Sequence, residues 1–180
     1  MTTAAAAPDL SYPIGKPQYQ LELTPGERTA LIDEIAAAPT NLRAAVTGFS
    51  EKQFDTPYRS GGWTVRQLVH HVPESHLNSY IRFKWALTED HPRIKAYEES
   101  DWARTPEVDT TSPELSLALL EALHAKWVAL LRAMKPEDFR RTLDHPQNGS
   151  MTLDRMLQLY AWHGKHHTAH VTNLRKRMGW

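Results

Sequence analysis

Four stretches of this chain space their apolar side chains at intervals of three and four residues, and no stretch alternates with the period of two that a half-buried strand requires. Leu31, Ile32, Ile35, Leu42, Ala45, Val46 and Phe49 mark the first, and Leu68, Leu77, Tyr80, Ile81 and Trp85 the second. Leu115, Leu119, Leu120, Leu123, Trp127, Leu130 and Leu131 mark the third, and Met156, Leu159, Tyr160, Val171 and Leu174 the fourth. Each stretch is preceded by residues that can cap free amides: Thr24 with Glu27, Thr64 with Gln67, Ser112 before Pro113 and Glu114, and Thr152. Arg175, Lys176 and Arg177 suit the C-terminal end of the last dipole, and Gly179 stops it. Four long amphipathic helices predict an all-α four-helix bundle. Pro39 and Pro73 fall inside the first and second helices, where each leaves a carbonyl without its donor; Pro39 is expected to kink or divide its helix.

Residues 1–20, with Pro8, Pro13, Pro17 and Gly15, read as an extended N-terminal arm that packs over the body or reaches a partner subunit. Residues 21–180 then form one helical domain, a length that can bury a sizeable core. Residues 55–62 and 144–149 read as loops, 136–141 as a turn of helix, and 90–111 as a long loop with a turn near Tyr97 to Trp102. Lys plus Arg and Asp plus Glu number 21 each, so no basic excess exists to neutralise phosphates or anionic lipid, and neither nucleic acid nor a membrane surface is an expected partner. The chain has no cysteine, which excludes disulfides, thiolate metal sites and a cysteine nucleophile within it. No apolar run approaches the roughly 20 residues of a membrane span, and a cytoplasmic location is expected.

The fourth helix carries YAWHGKHHTAH from Tyr160 to His170, with His163, His166, His167 and His170. At four residues' separation, His163 and His167 leave the helix about 40° apart and one turn apart, close enough to share an ion. His166 and His170 have the same relation, and periodicity leaves both pairs open. His163 and His170 lie roughly 10 Å apart along the axis, too far to share one metal. His70 and His71 in the second helix are splayed by about 100°, so only one can face inward to supply a third ligand. Glu74 stands three residues after His71, able to orient a ligand or act as a base.

GGWTVRQLVHHVPESHLNSYIRF and LYAWHGKHHTAHVTNLRKRMGW resemble the DinB superfamily, in particular its YfiT-like branch of metal-dependent hydrolases. The likeness extends to LSYPIGK, DTPYRSGGW and SLALLEALHAKW, nearly the whole chain. It implies a DinB-like bundle holding one divalent ion, zinc or nickel, on His71, His163 and His167. It also implies a homodimer, and makes His70, His166 and His170 pocket or subunit-contact residues instead of ligands. Where relatives commonly carry Ala beside the first ligand, this chain has Pro73, followed by Glu74.

Three imidazoles on a divalent ion leave a position for water, as catalytic sites do. The expected reaction is hydrolysis of a small-molecule substrate. The same open position can take a low-molecular-weight thiol, as in the bacillithiol-transferase-like branch of the superfamily, which uses bacillithiol- or mycothiol-type S-transfer. A third reading is a non-catalytic, metal-stabilised dimeric module, which requires a fourth protein ligand from His70, His76 or Glu74. Trp63, Asn78, Arg82, Tyr160 and Trp162 are the candidate substrate-pocket residues, with Arg82 a possible partner for a carboxylate.

Overall fold

The computed structural model describes residues 9–180. The long helices are α1 (Pro25–Val46), α3 (Val65–Thr88), α6 (Pro113–Ala133) and α7 (Leu153–Met178), with single-turn helices α2 (Glu51–Phe54), α4 (Glu99–Trp102) and α5 (Glu107–Thr110) in the connections. The caps lie where the sequence places them. Thr24 Oγ1 accepts from the Glu27 amide at 3.3 Å while Glu27 Oε2 accepts from the Thr24 amide at 2.7 Å, and Thr64 and Gln67 form the same reciprocal pair. Thr152 caps α7, and Gly179 ends it in the left-handed conformation that a side chain would strain.

In the bundle α1 packs on α7 and α6, and α3 packs on α6 and α7. The consecutive pairs α1–α3 and α6–α7 are therefore diagonal, and the two connections that join them must cross the ends of the bundle. That requirement accounts for the length of these two. Arg28 of α1 grips Asp154 at the start of α7 through two bonds of 2.7 and 2.8 Å, an ion pair shielded enough from water to fix this crossing.

Two expectations are corrected. Pro39 does not divide its helix, since α1 runs unbroken through it and the packing of its neighbours Ala38 and Leu42 outweighs the one lost helical bond. Residues 142–152 form an antiparallel hairpin, β1 (Thr142–His145) and β2 (Gly149–Thr152), where loop and capping residues alone are expected. Four-residue strands are too short for a period of two to stand out in the sequence, and Leu143 with Met151 is the one cross-strand pair buried on both sides. The fold remains all-α, this small ribbon being its one sheet among the described residues.

The apolar interior forms two clusters. One holds Ile35, Phe83, Trp127 and Leu157; the other holds Leu42, Leu68, Leu120 and Val171. Between them each long helix contributes to a polar layer: the Ile35 carbonyl from α1, His71 and His76 from α3, His124 from α6, and His163 and His167 from α7.

Residues 9–20, the described part of the arm, run along α7. Gln158 exchanges bonds of 2.7 and 3.0 Å with the backbone of Gln20, and Trp162 Nε1 donates to the Gly15 carbonyl at 3.1 Å. The arm's first eight residues lie outside the described residues. No described helix is long and apolar enough to cross a membrane.

Candidate metal centre

His71, His163 and His167 each offer a ring nitrogen, and the three atoms lie within 4.8 Å of one another. One helical turn brings His163 Nε2 and His167 Nε2 to 3.1 Å, and α3 supplies His71 across the interface. Trp63, just before the Thr64 cap, sets its ring edge against His71 with centroids 4.8 Å apart, limiting that imidazole's rotation. Gly164 allows α7 to lie close here: a Cβ on it would stand 3.0 Å from the Cβ of Ala38 and 3.8 Å from His76 Cε1.

Burial keeps these imidazoles neutral. Desolvation pulls His71 down to about 4, and it holds His163 and His167 well below the usual imidazole range, with their neighbouring imidazoles adding to the effect. A neutral imidazole has one bare nitrogen, the form that a metal requires. The donors fit a divalent ion of borderline softness: three nitrogens on one point, with no thiolate and no carboxylate in the group. The Nδ1 atoms of His71 and His167 are buried without a partner, so no hydrogen bond at Nδ1 fixes the tautomer of either ring.

The group opens on a cavity of about 510 Å³ whose lining includes Tyr58, Arg59, Trp63, Glu99, Trp162 and both histidine pairs of α7. Tyr12 and Ser11 bring the arm to its wall. Arg59 enters through the turn at Gly61 and Gly62; a Cβ at Gly62 would lie 2.7 Å from Arg59 Cγ, so the glycine is what lets the arginine fold over the loop. Its Nε is buried without a partner, and its Nη1 reaches only the Ser60 carbonyl at 3.2 Å. Glu99, at the rim, is lifted above the ordinary carboxylate range by desolvation, partly offset by Arg82.

The sequence-expected residues divide into two sets. Trp63 and Trp162 line the cavity. Tyr160 packs behind, its ring 5.5 Å from that of His163, and is buried. Asn78 turns back to the Glu74 carbonyl, and buried Arg82 donates to the Lys95 carbonyl at 3.2 Å; neither lines the cavity. Glu74 is also absent from the lining, its carboxyl raised by burial and by Glu107. Arg59 and Glu99 went unremarked in the sequence because each lies in a connection, where no periodicity marks a direction.

The residues that could close the coordination do not converge. His70 Nδ1 pairs with Ser116 Oγ at 2.7 Å. His76 stands behind His163, its Nε2 3.0 Å from His163 Nδ1, and continues through Nδ1 to His124 Nε2 at 2.8 Å. His124 Nδ1 in turn donates to the Ile35 carbonyl at 2.7 Å. His166 and His170 approach each other at 3.1 Å between their Nε2 atoms, with the Trp162 ring stacked on His166 at 4.3 Å and the Tyr58 ring against His170 at 4.2 Å.

The chain is similar to a Bacillus cereus (strain 03BB102) protein named "Putative metal-dependent hydrolase", 51% identical over 96% of this chain and 99% of that protein. A Bacillus thuringiensis subsp. konkukian (strain 97-27) protein of the same kind of name matches with the same identity and coverage. Among solved structures it is similar to YfiT from Bacillus subtilis, described as a probable metal-dependent hydrolase with an unusual four-helix bundle topology. The TM-score is 0.93 and the identity 46%, over 95% of this chain and 98% of that one. The diagonal placement of α1 and α3 is a physical counterpart of such a topology. The DinB superfamily pattern spans residues 34–171, from the middle of α1 through the histidines of α7, and the chain belongs to the DinB superfamily.

Proposed function

We propose that this protein is a metal-dependent hydrolase of a small molecule, with zinc or nickel held by His71, His163 and His167. The observation that carries this reading is the convergence of three neutral ring nitrogens on one face of an open cavity, with no fourth protein ligand beside them among the described residues. A closed structural site is disfavoured because His70 and His76 are engaged with Ser116, His124 and His163, and Glu74 belongs neither to the ligand group nor to the cavity lining. A divalent ion held by these three residues would supply Lewis acidity and would lower the pKa of water toward about 7.

The chain's own residues supply the rest. Trp63 and Trp162 wall the cavity and exclude bulk water from one side of the substrate. Glu99, the one carboxylate in the lining among the described residues, accepts the proton released as water attacks and returns it to the leaving group, a part that Glu74, outside the lining, does not take. Arg59, with no carboxylate partner among the described residues, favours a substrate bearing an acidic group.

The test is a turnover screen of zinc- and nickel-loaded protein against esters, amides and small electrophiles, run with and without bacillithiol, mycothiol and glutathione. Hydrolysis independent of thiol and lost in the His167→Ala protein is the expected result. Turnover strictly dependent on a thiol would replace hydrolysis with S-transfer at the same ion. Absence of bound transition metal in protein purified without a polyhistidine tag, even after metal loading, would sink both.

A further inference from the structure

Behind the ligand group lies a linear run of polar contacts that ends on a backbone carbonyl. A carbonyl oxygen can only accept, so His124 must carry its proton on Nδ1 to bond Ile35 at 2.7 Å. A neutral His124 then has a bare Nε2, which can only accept, and His76 must donate to it from Nδ1 across 2.8 Å. His76 Nε2 is in turn bare and accepts from His163 Nδ1 across 3.0 Å. The proton positions of all three rings follow from one carbonyl. His163 is left with its lone pair on Nε2, the atom that faces His167 Nε2.

The carbonyl is available for a reason that lies in the sequence. Ile35 stands four residues before Pro39, and a proline nitrogen has no hydrogen to give. In an ordinary helix that oxygen would already hold the amide of residue 39. Here His124, buried on α6, takes the place of the missing donor. Ile35 is itself fully buried, so no water competes for the oxygen.

We propose that Pro39, Ile35, His124 and His76 form a backbone-anchored chain of positioning groups that holds His163 as its Nδ1–H tautomer and so presets Nε2 as a metal ligand. The inference rests on the metal-binding reading of His71, His163 and His167. The chain does for His163 what a carboxylate or carbonyl commonly does for a metal-bound imidazole: it fixes the tautomer, limits ring rotation and raises the basicity of the ligating nitrogen. It does so through two uncharged rings, which leaves the interior without a buried carboxylate to compensate.

The tautomers can be read directly. Long-range ¹H–¹⁵N correlation spectra of the metal-free, ¹⁵N-histidine-labelled protein at pH 7.5 should show His163, His76 and His124 each protonated on Nδ1. Protonation of His163 on Nε2 overturns the proposal, whatever the protein then does with metal. Zinc affinity, measured by competition with a chromophoric chelator, provides the second readout. His124→Phe should weaken zinc binding about 10- to 100-fold, and His124→Gln, which keeps both a donor and an acceptor, should recover part of that loss. Affinity of His124→Phe within about twofold of the parent overturns the proposal.

Should His124→Phe fail to fold, Pro39→Ala decides the matter. It restores a competing helical donor to Ile35, and it should weaken zinc binding at least about threefold without lowering thermal stability, since Ala is far the better helix former. A purely structural role for the proline predicts unchanged affinity, and that outcome overturns its place in the chain. The metal reading fails separately: the expected tautomers with no zinc bound would leave the chain intact and remove its purpose.

Discussion

The two histidine pairs of α7 are alike in every respect that a sequence displays and unlike in their surroundings. His163 with His167 and His166 with His170 share the same spacing and the same 3.1 Å approach of Nε2 atoms on one helix. The first pair points at α3, where His71 adds a third nitrogen and His76 braces the ring from behind. The second pair meets aromatic rings, Trp162 on one side and Tyr58 on the other, and finds no third ligand among the described residues. A ligand pair is therefore made by what faces it across the bundle. The helix supplies only the spacing.

The comparison breaks most severely if the pairs are exchanged in importance. His167→Ala should reduce affinity for zinc more than a hundredfold, beyond the usual cost of losing an outer partner, whereas His170→Ala should leave one tight equivalent per chain. Metal analysis after dialysis, with chelator competition, reads both. Equal losses in the two variants would mean that the pairs act together and that the three-ligand site is misassigned.

Acid should expose the same burial as a loss of stability. The folded-state pKa of His124 is depressed to about 4 from about 6.5 by desolvation. The unfolded chain thus binds the proton first as pH falls, and the contribution to stability, full above about pH 6.5, disappears progressively down to about 4. That is about 1.4 kcal/mol per pH unit for this side chain, up to about 3 kcal/mol in all, with His71 acting in the same direction and window. Urea titrations of metal-free protein between pH 7.5 and 4.5 should show it, and zinc should resist the decline until its ligands protonate. A flat profile would mean that the imidazoles are not buried in solution.

A smaller effect separates the cavity's two flanks. Arg59→Gln should raise KM about tenfold for a substrate carrying a carboxylate, with kcat little changed, and should leave a neutral analogue unaffected. An equal effect on both substrates would make Arg59 a structural residue of its loop. The smallest change is expected at Gly164→Ala. Its new Cβ is tight against Ala38 at 3.0 Å, yet Ala gains about 1 kcal/mol of helix propensity over Gly, so the net change should stay within about 1 kcal/mol by calorimetry.

The fold was legible where signals are local. Thr24, Thr64, Ser112 and Thr152 each announce a helix start through a hydroxyl three residues or fewer from the amide that it caps, and the apolar periods fix which side turns inward. The hairpin was not legible, because Leu143 and Met151 are its only inward pair. The candidate ligands were legible as spacing within α7, but their selection depended on His71, a contact across helices that spacing cannot express and that the family likeness supplied. Glu74 shares a helix face with His71 by arithmetic, yet it is absent from the cavity lining, which is completed by connections without period. Arg59 and Glu99 stayed hidden for that same reason.

Both apolar clusters contain residues from all four long helices, one above the histidine layer and one below it. The chain is thereby fastened twice, by apolar packing that does not depend on which polar side chains fill the layer between. Its side chains are free to vary in a way that core residues are not. A lineage or a designer could exchange two or three of these positions and change the ion, its ligand number or the reaction, while the two clusters preserve the scaffold through each intermediate sequence.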